Sequence, residues 1–249
     1  MLMHIPTIKD DVPYLDTEQM IEVDRAMVED YHIKLIQMME SAGRCLAVLA
    51  RERFLEDCAE GKHVTVMAGS GGNGGGALVA ARRLHNWGAK VRVLLAQATT
   101  RMTAVPRHQL DILERMGVEC VSEPETPPLG RDPDLIIDGL IGYSLKGAAY
   151  GVTRDLIEWS NATATSVLAL DAPSGLDTAT GTLCEPTIVA TATMTLALPK
   201  EGLRSPGVEA YVGELYLADI SVPPSLYSKP ALGLEVGPIF ATGDIVRLA

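Results

Sequence analysis

The run Gly69-Ser70-Gly71-Gly72-Asn73-Gly74-Gly75-Gly76 is the strongest constraint on what this chain can become. It follows the short β-branched segment Val64-Thr65-Val66-Met67 and precedes an Ala- and Leu-rich stretch from Leu78 to Trp87. A change of hydrophobic period across a glycine turn reads as strand, turn, helix. Glycine permits positive φ and close backbone approach, and the helix N-terminus behind the turn offers free N–H groups and a favourable dipole for phosphate. A tight turn that needs glycine for its geometry alone accounts for the run equally well. No Gly-Lys-Ser/Thr closes it, so it is not a P-loop. Gly69-x-Gly71-x-x-Gly74 also lacks the acidic residue of a dinucleotide fingerprint, since Leu94-Leu95-Ala96-Gln97 stands at the end of the next strand.

The alternation continues downstream. Val91 to Leu95, Val118 to Val121, Leu135 to Asp138, Val167 to Asp171 and Met194 to Leu198 are short apolar strand candidates, with helices expected at Thr103 to Met116 and Thr153 to Ser160. Glu214 to Leu217 reads as an edge strand, and the Pro- and Gly-rich tail from Val222 offers no long element. Upstream, two amphipathic helices are expected, one capped by Thr17 and one over Ile33 to Leu55. Near-continuous apolar strands require a parallel sheet covered on both faces. The expected fold is therefore α/β, a three-layer αβα Rossmann-like and mostly parallel sheet with an N-terminal helical extension, forming one domain over residues 1–249. A chain of 249 residues, 47% hydrophobic and 21% charged, has the usage of an ordinary globular protein with a sizeable core.

Composition also excludes partners. A net charge of -11 opposes binding to a phosphate backbone, so no nucleic-acid partner is expected. No apolar run approaches the roughly 20 residues of a membrane span. Met1 to Asp11 lacks the pattern of a secretory signal, which leaves the cytoplasm as the expected location. Cys45, Cys58, Cys120 and Cys184 show neither zinc nor disulfide spacing.

Two further strands end in carboxylates, Asp138 after Leu135-Ile136-Ile137 and Asp171 after Leu168-Ala169-Leu170. In an open parallel sheet the ligand crevice lies beyond the C-terminal strand ends, so the glycine run, Asp138 and Asp171 should meet at one edge. Each Asp taken singly is more readily read as a loop cap, and only their joint placement favours a site. Asp138 to Gly147 forms a second glycine-bearing loop, and Asp171-Ala172-Pro173-Ser174-Gly175-Leu176-Asp177 a third. Oxygen atoms of Asn73, Asp138 and Ser174, with backbone carbonyls, suit a hard cation rather than zinc. Asp171 is a candidate general acid or base. Ser174 lies in no G-x-S-x-G elbow, which disfavours a hydrolase triad. Lys200 stands in a polar loop where a lysine is ordinarily solvated.

Together these segments resemble the NAD(P)H-hydrate epimerase family, also called the YjeF N-terminal domain, over roughly Thr17 to Leu217. The resemblance rests on Thr17-Glu18-Gln19-Met20 with Asp24, on Met39-Glu40-Ser41-Ala42-Gly43-Arg44, on the glycine run, on Asp138 to Gly147 and on Asp171 to Asp177. It implies an isomerase that interconverts the R and S forms of hydrated NADH and NADPH. It implies that a potassium ion is held by Asn73, Asp138 and Ser174, with Asp171 as the catalytic residue. The nucleotide would be contacted by Gly72, Asn73, Gly74, Gly75 and Gly76, by Gly142, Tyr143, Ser144, Leu145, Lys146, Gly147 and Ala148, and by Asp171. It further implies a homodimer, to which the Met38 and Met39 face would contribute unless it packs in the core. A separate dehydratase is the expected companion, because the chain's length is taken up by the epimerase-like region. The family's turn usually reads Asn-Asn-Gly-Gly-Asp-Gly, and here Gly72 and Gly76 replace its first Asn and its Asp. Tyr143-Ser144 stands where Thr-Gly is usual. A non-catalytic ligand-binding relative and an interaction scaffold of the same fold are the competing expectations.

Overall fold

A computed structural model describes residues 5–9, 12–124, 132–145 and 147–249. Among the described residues nine strands form one sheet: β1 (Thr7–Ile8), β2 (His63–Ala68), β3 (Lys90–Leu95), β4 (Glu119–Ser122), β5 (Leu135–Gly139), β6 (Val167–Leu170), β7 (Ala192–Leu196), β8 (Glu214–Ala218) and β9 (Ile245–Leu248). Their spatial order is β1-β9-β8-β7-β6-β5-β2-β3-β4, and every pairing is parallel except β8 with β9. The helices are α1 (Thr17–Glu29), α2 (Leu35–Phe54), α3 (Gly72–Asn86), α4 (Ala104–Arg115), α5 (Gly151–Ala162), α6 (Glu209–Val212) and α7 (Pro224–Tyr227).

Side-chain alternation along the central strands separates the layers. Val66, Ala68, Val93, Leu95, Ile137, Leu168 and Leu170 join one core, shared with Leu46 and Leu49 of α2 and Leu78 and Leu84 of α3. Met67, Leu94, Ile136, Val167 and Ala169 point the other way, into a second core closed by Leu156 and Ile157 of α5. Helices therefore cover both faces, as expected for buried parallel strands. Met38 and Met39 belong to the first core, so core packing accounts for their face of α2.

Three local expectations are corrected. The cap of α1 is Asp16, not Thr17: the Gln19 N–H donates to Asp16 Oδ1 at 2.8 Å and the Asp16 N–H to Gln19 Oε1 at 3.0 Å. Asp16 keeps extended backbone while Thr17 is already helical, so only Asp16 can reach the first free N–H groups. Second, β8 is interior rather than an edge, because the tail supplies β9 beside it and β9 in turn pairs with β1. Third, the turn is shorter than the glycine run. The helix begins at Gly72, and Gly74, Gly75 and Gly76 are buried in its first turns. A Cβ on Gly76 would lie 2.9 Å from Leu170 Cδ2, and one on Gly43 of α2 only 2.4 Å from the Gly76 carbonyl oxygen. These glycines let α3 sit tightly against the sheet and α2.

Candidate active site

From β2 the sheet grows outward to β3 and β4 on one side, and to β5, β6 and β7 on the other. The strand order thus reverses between β2 and β5, where a ligand crevice is expected beyond the carboxyl ends. The Gly69 N–H donates to the Gly139 carbonyl at 3.0 Å, closing the floor between the two strands. A Cβ on Gly69 would fall 2.0 Å from the Leu140 carbonyl oxygen, so the first residue of the turn is glycine because the neighbouring backbone occupies the space. Above this point opens a cleft of about 750 Å³, within the roughly 300–1,000 Å³ of small-molecule sites.

Segments that follow β2, β5, β6 and β7, together with α1 and α2, wall the cleft. Gly69, Ser70, Gly71, Gly72 and Asn73 enter from the end of β2 and the first turn of α3, whose leading N–H groups have no helical acceptor. Leu140, Ile141, Gly142, Tyr143, Ser144, Leu145, Gly147 and Ala148 enter from the loop after β5. Asp171 follows β6 and Lys200 lies beyond β7. Met20 and Asp24 of α1 and Leu35, Met38 and Met39 of α2 complete the wall, with Arg101 and Glu123 also facing the opening. Of the expected nucleotide contacts, Gly74, Gly75 and Gly76 are absent from the lining, because their positions face the helical and sheet packing described above. Lys146 lies outside the described residues.

Asp171 occupies the left-handed backbone region at φ 68°, a conformation uncommon for any residue but glycine. Its N–H donates to the Met194 carbonyl at 2.7 Å, fixing the turn off β6 against β7. The carboxylate is engaged on both sides. Lys200 Nζ donates to Oδ1, and the Tyr143 backbone N–H donates to Oδ2 at 3.2 Å. Lys200 is only 2% exposed and also donates to Thr195 Oγ1 at 3.1 Å and the Leu196 carbonyl at 2.9 Å. The expectation of a solvated loop lysine is therefore corrected. Lys200 is drawn in by a buried carboxylate, and backbone bonds from Leu15 to Pro199 and from Glu201 to Leu15 pin its loop beneath α1. Its position just past a strand at the same sheet edge was the signal that pointed to it.

Behind the cleft, Asp138 and Ser174 form a sealed unit, both 0% exposed. The Ser174 hydroxyl donates to Asp138 Oδ1 at 2.7 Å, the Ser174 N–H to Oδ2 at 2.8 Å and the Leu140 N–H to Oδ1 at 3.1 Å. Burial pushes the Asp138 carboxyl up to about 6, against the opposing pull of these hydrogen bonds. Among the described residues no basic side chain pairs with it. Asn73 is half-buried, its inaccessible Nδ2 has no partner among the described residues, and its oxygen lies 3.4 Å from where a Cβ on Gly142 would stand. No group of three or more His, Cys, Asp or Glu gathers among the described residues. One carboxylate with neutral oxygen donors carries a single negative charge, which suits a monovalent cation better than a divalent one.

Asp24 extends the site beyond the three loops. The Tyr143 hydroxyl donates to Asp24 Oδ2 at 2.6 Å, joining the second loop to α1. Burial raises the Asp24 carboxyl above its ordinary range; the Tyr143 hydrogen bond opposes this and the charge of Asp171 adds to it. Burial also raises the Tyr143 hydroxyl, with the Asp24 carboxylate contributing. The motif containing Asp24 was legible in sequence, but its place in the cleft was not.

A parallel α/β sheet with a ligand cleft at its switch point, walled by a helix N-terminus and a buried Asp–Lys pair, is the class that fold and site define. The chain belongs to the family of YjeF-related protein N-termini, which matches residues 35–202. It is 40% identical to the NAD(P)H-hydrate epimerase of Dehalogenimonas lykanthroporepellens over 92% of this chain and 90% of that protein. It is 35% identical to the bifunctional NAD(P)H-hydrate repair enzyme Nnr of Moorella thermoacetica over 84% of this chain, spanning 40% of that longer protein. The crystal structure of yeast ynu0, YNL200c, superposes with a TM-score of 0.78 at 25% identity, covering 95% of this chain and all of that one.

Proposed function

We propose that this protein is an isomerase that epimerises the hydrated carbon of NADH and NADPH hydrates, a reaction of nicotinamide nucleotide repair. The observation that carries the reading is the buried Asp171–Lys200 pair in the cleft at the switch point, in a chain of this family. The first-turn N–H groups at Gly72 and Asn73 would receive a phosphate of the dinucleotide. The loop from Gly142 to Ala148 would cover the hydrated ring. Epimerisation requires the hydroxyl to leave and return on the other face, through a cationic ring. A fixed carboxylate at Asp171 stabilises that positive charge, and Lys200 holds the carboxylate in place without sharing it with water.

Asn73, Asp138 and Ser174 would hold a potassium ion. When bound, that ion supplies positive charge beside the Asp138 carboxylate and the phosphate-binding turn. Asp138 then tethers the loop after β5, through its bond to the Leu140 N–H, and Ser174 tethers the loop after β6. A dehydratase acting on one epimer is the functional companion of this reading, the cytoplasm its location, and a homodimer its assembly.

The test supplies R-hydrate with a strictly S-specific dehydratase. Consumption of R-hydrate well above the spontaneous rate is expected with the wild type and is lost in Asp171→Ala. Tight dinucleotide binding with R-hydrate consumed only at the spontaneous rate would identify a non-catalytic binder instead.

A further inference from the structure

We propose that Asp24 is the proton-transferring carboxyl of this site, that Tyr143 is its positioning residue, and that the Asp171–Lys200 pair supplies fixed charge. This rests on the epimerase reading above.

Loss of a hydroxyl needs a proton donor as well as an anion to face the cation. Asp171 is poorly arranged to donate, because Lys200 and Thr195 engage Oδ1 and the Tyr143 N–H engages Oδ2. No histidine or cysteine lines the cleft among the described residues. Glu123 is exposed to solvent at the opening. Asp24 remains. It lines the same cleft from α1, a different wall from the strand end that carries Asp171. Its Oδ2 takes the Tyr143 hydroxyl, while its Oδ1 has no hydrogen bond to the described residues and is available to a substrate oxygen. Tyr143 therefore touches both carboxyls, the one through its hydroxyl and the other through its backbone N–H. Burial and the charge of Asp171 both favour the protonated form of Asp24, while Tyr143 and Lys200 oppose it. One carboxyl inclined to keep its proton, beside another held in an ion pair, is the usual basis for dividing acid and electrostatic roles.

The step balances without a co-reactant. A proton passes from the Asp24 carboxyl to the hydroxyl oxygen, the C–O bond breaks with its electron pair on the departing water, and the ring-nitrogen lone pair forms a C=N bond. The resulting cation faces Asp171. Water then adds to the other face, the C=N π pair returns to nitrogen, the surplus proton is released to solvent, and the Asp24 carboxylate regains a proton from solvent for the next turnover.

The experiment measures kcat and KM for R-to-S conversion in the wild type, Asp24→Asn, Asp24→Ala and Tyr143→Phe. Asp24→Asn keeps an acceptor for Tyr143 and is expected to lose about 100-fold or more in kcat, with KM within about threefold. Formate is expected to restore part of the activity of Asp24→Ala in a concentration-dependent way, which a merely structural role would not allow. Tyr143→Phe is expected to lose about tenfold in kcat with KM held, and to be insensitive to formate. An active wild type with Asp24→Asn within about fivefold of it, or with the loss confined to KM, overturns the proton role alone. An inactive wild type overturns both this assignment and the epimerase reading.

Discussion

At the scale of single residues, Lys200 and Asp171 behave as one unit, each nearly inaccessible and each the other's main partner. Removing one charge of such a pair leaves the other buried without compensation, which costs about 3–5 kcal/mol. Lys200→Met is accordingly expected to lower the unfolding free energy by about that amount in urea denaturation, and to abolish epimerisation. Had Lys200 been a solvated loop residue, the change would be nearly silent. The cysteines give a second residue-level outcome. Burial pushes the Cys45 thiol up to about 12 and the Cys120 thiol up to about 11. A raised thiol pKa means less thiolate at pH 8, so a thiol reagent at that pH is expected to label exposed Cys58 well before either. Peptide mass spectrometry of a time course checks the order, and early labelling of Cys45 would contradict its buried placement.

At the scale of elements, the glycine run divides into two parts with different physical jobs. Gly69 to Gly72 shape the mouth of the cleft, whereas Gly74 to Gly76 let α3 pack against the sheet and α2. Gly43 is the counterpart on α2, where an added Cβ meets both the Gly76 carbonyl oxygen and Val79 Cβ at 2.4 Å. Gly43→Ala is expected to destabilise by about 1–3 kcal/mol, the usual range for overpacking. Gly72→Ala meets nothing closer than Leu35 Cδ1 at 3.8 Å and should leave stability within about 0.5 kcal/mol of the wild type. Paired urea titrations test the contrast, and equal effects would remove the packing explanation.

At the scale of the whole molecule, the site exists because the strand order reverses between β2 and β5 and because the N-terminal segment crosses back to the loop after β7. Asn73, Asp138 and Ser174 come from the first turn of α3, the end of β5 and the loop after β6, so a cation that they share would be held by the assembled sheet edge. Potassium chloride is expected to raise the melting temperature above that in tetramethylammonium chloride of equal ionic strength, and Asp138→Asn to erase the difference. Melting curves that do not distinguish the two salts would remove the cation from the site. Sequence alone determined the strand and helix alternation, the parallel sheet covered on both faces, and the meeting of three loops at one edge. Those features follow from local periodicity and from Gly and Asp at strand ends, which act over a few residues. Only the tertiary structure decided that Lys200 is buried, that Tyr143 reaches Asp24 across 119 positions of chain, and that β8 is flanked on both sides. It also decided that half the glycine run serves packing rather than ligand. Each of these depends on which distant segments share a boundary, and that is set by closing the whole chain around its two cores rather than by any local propensity.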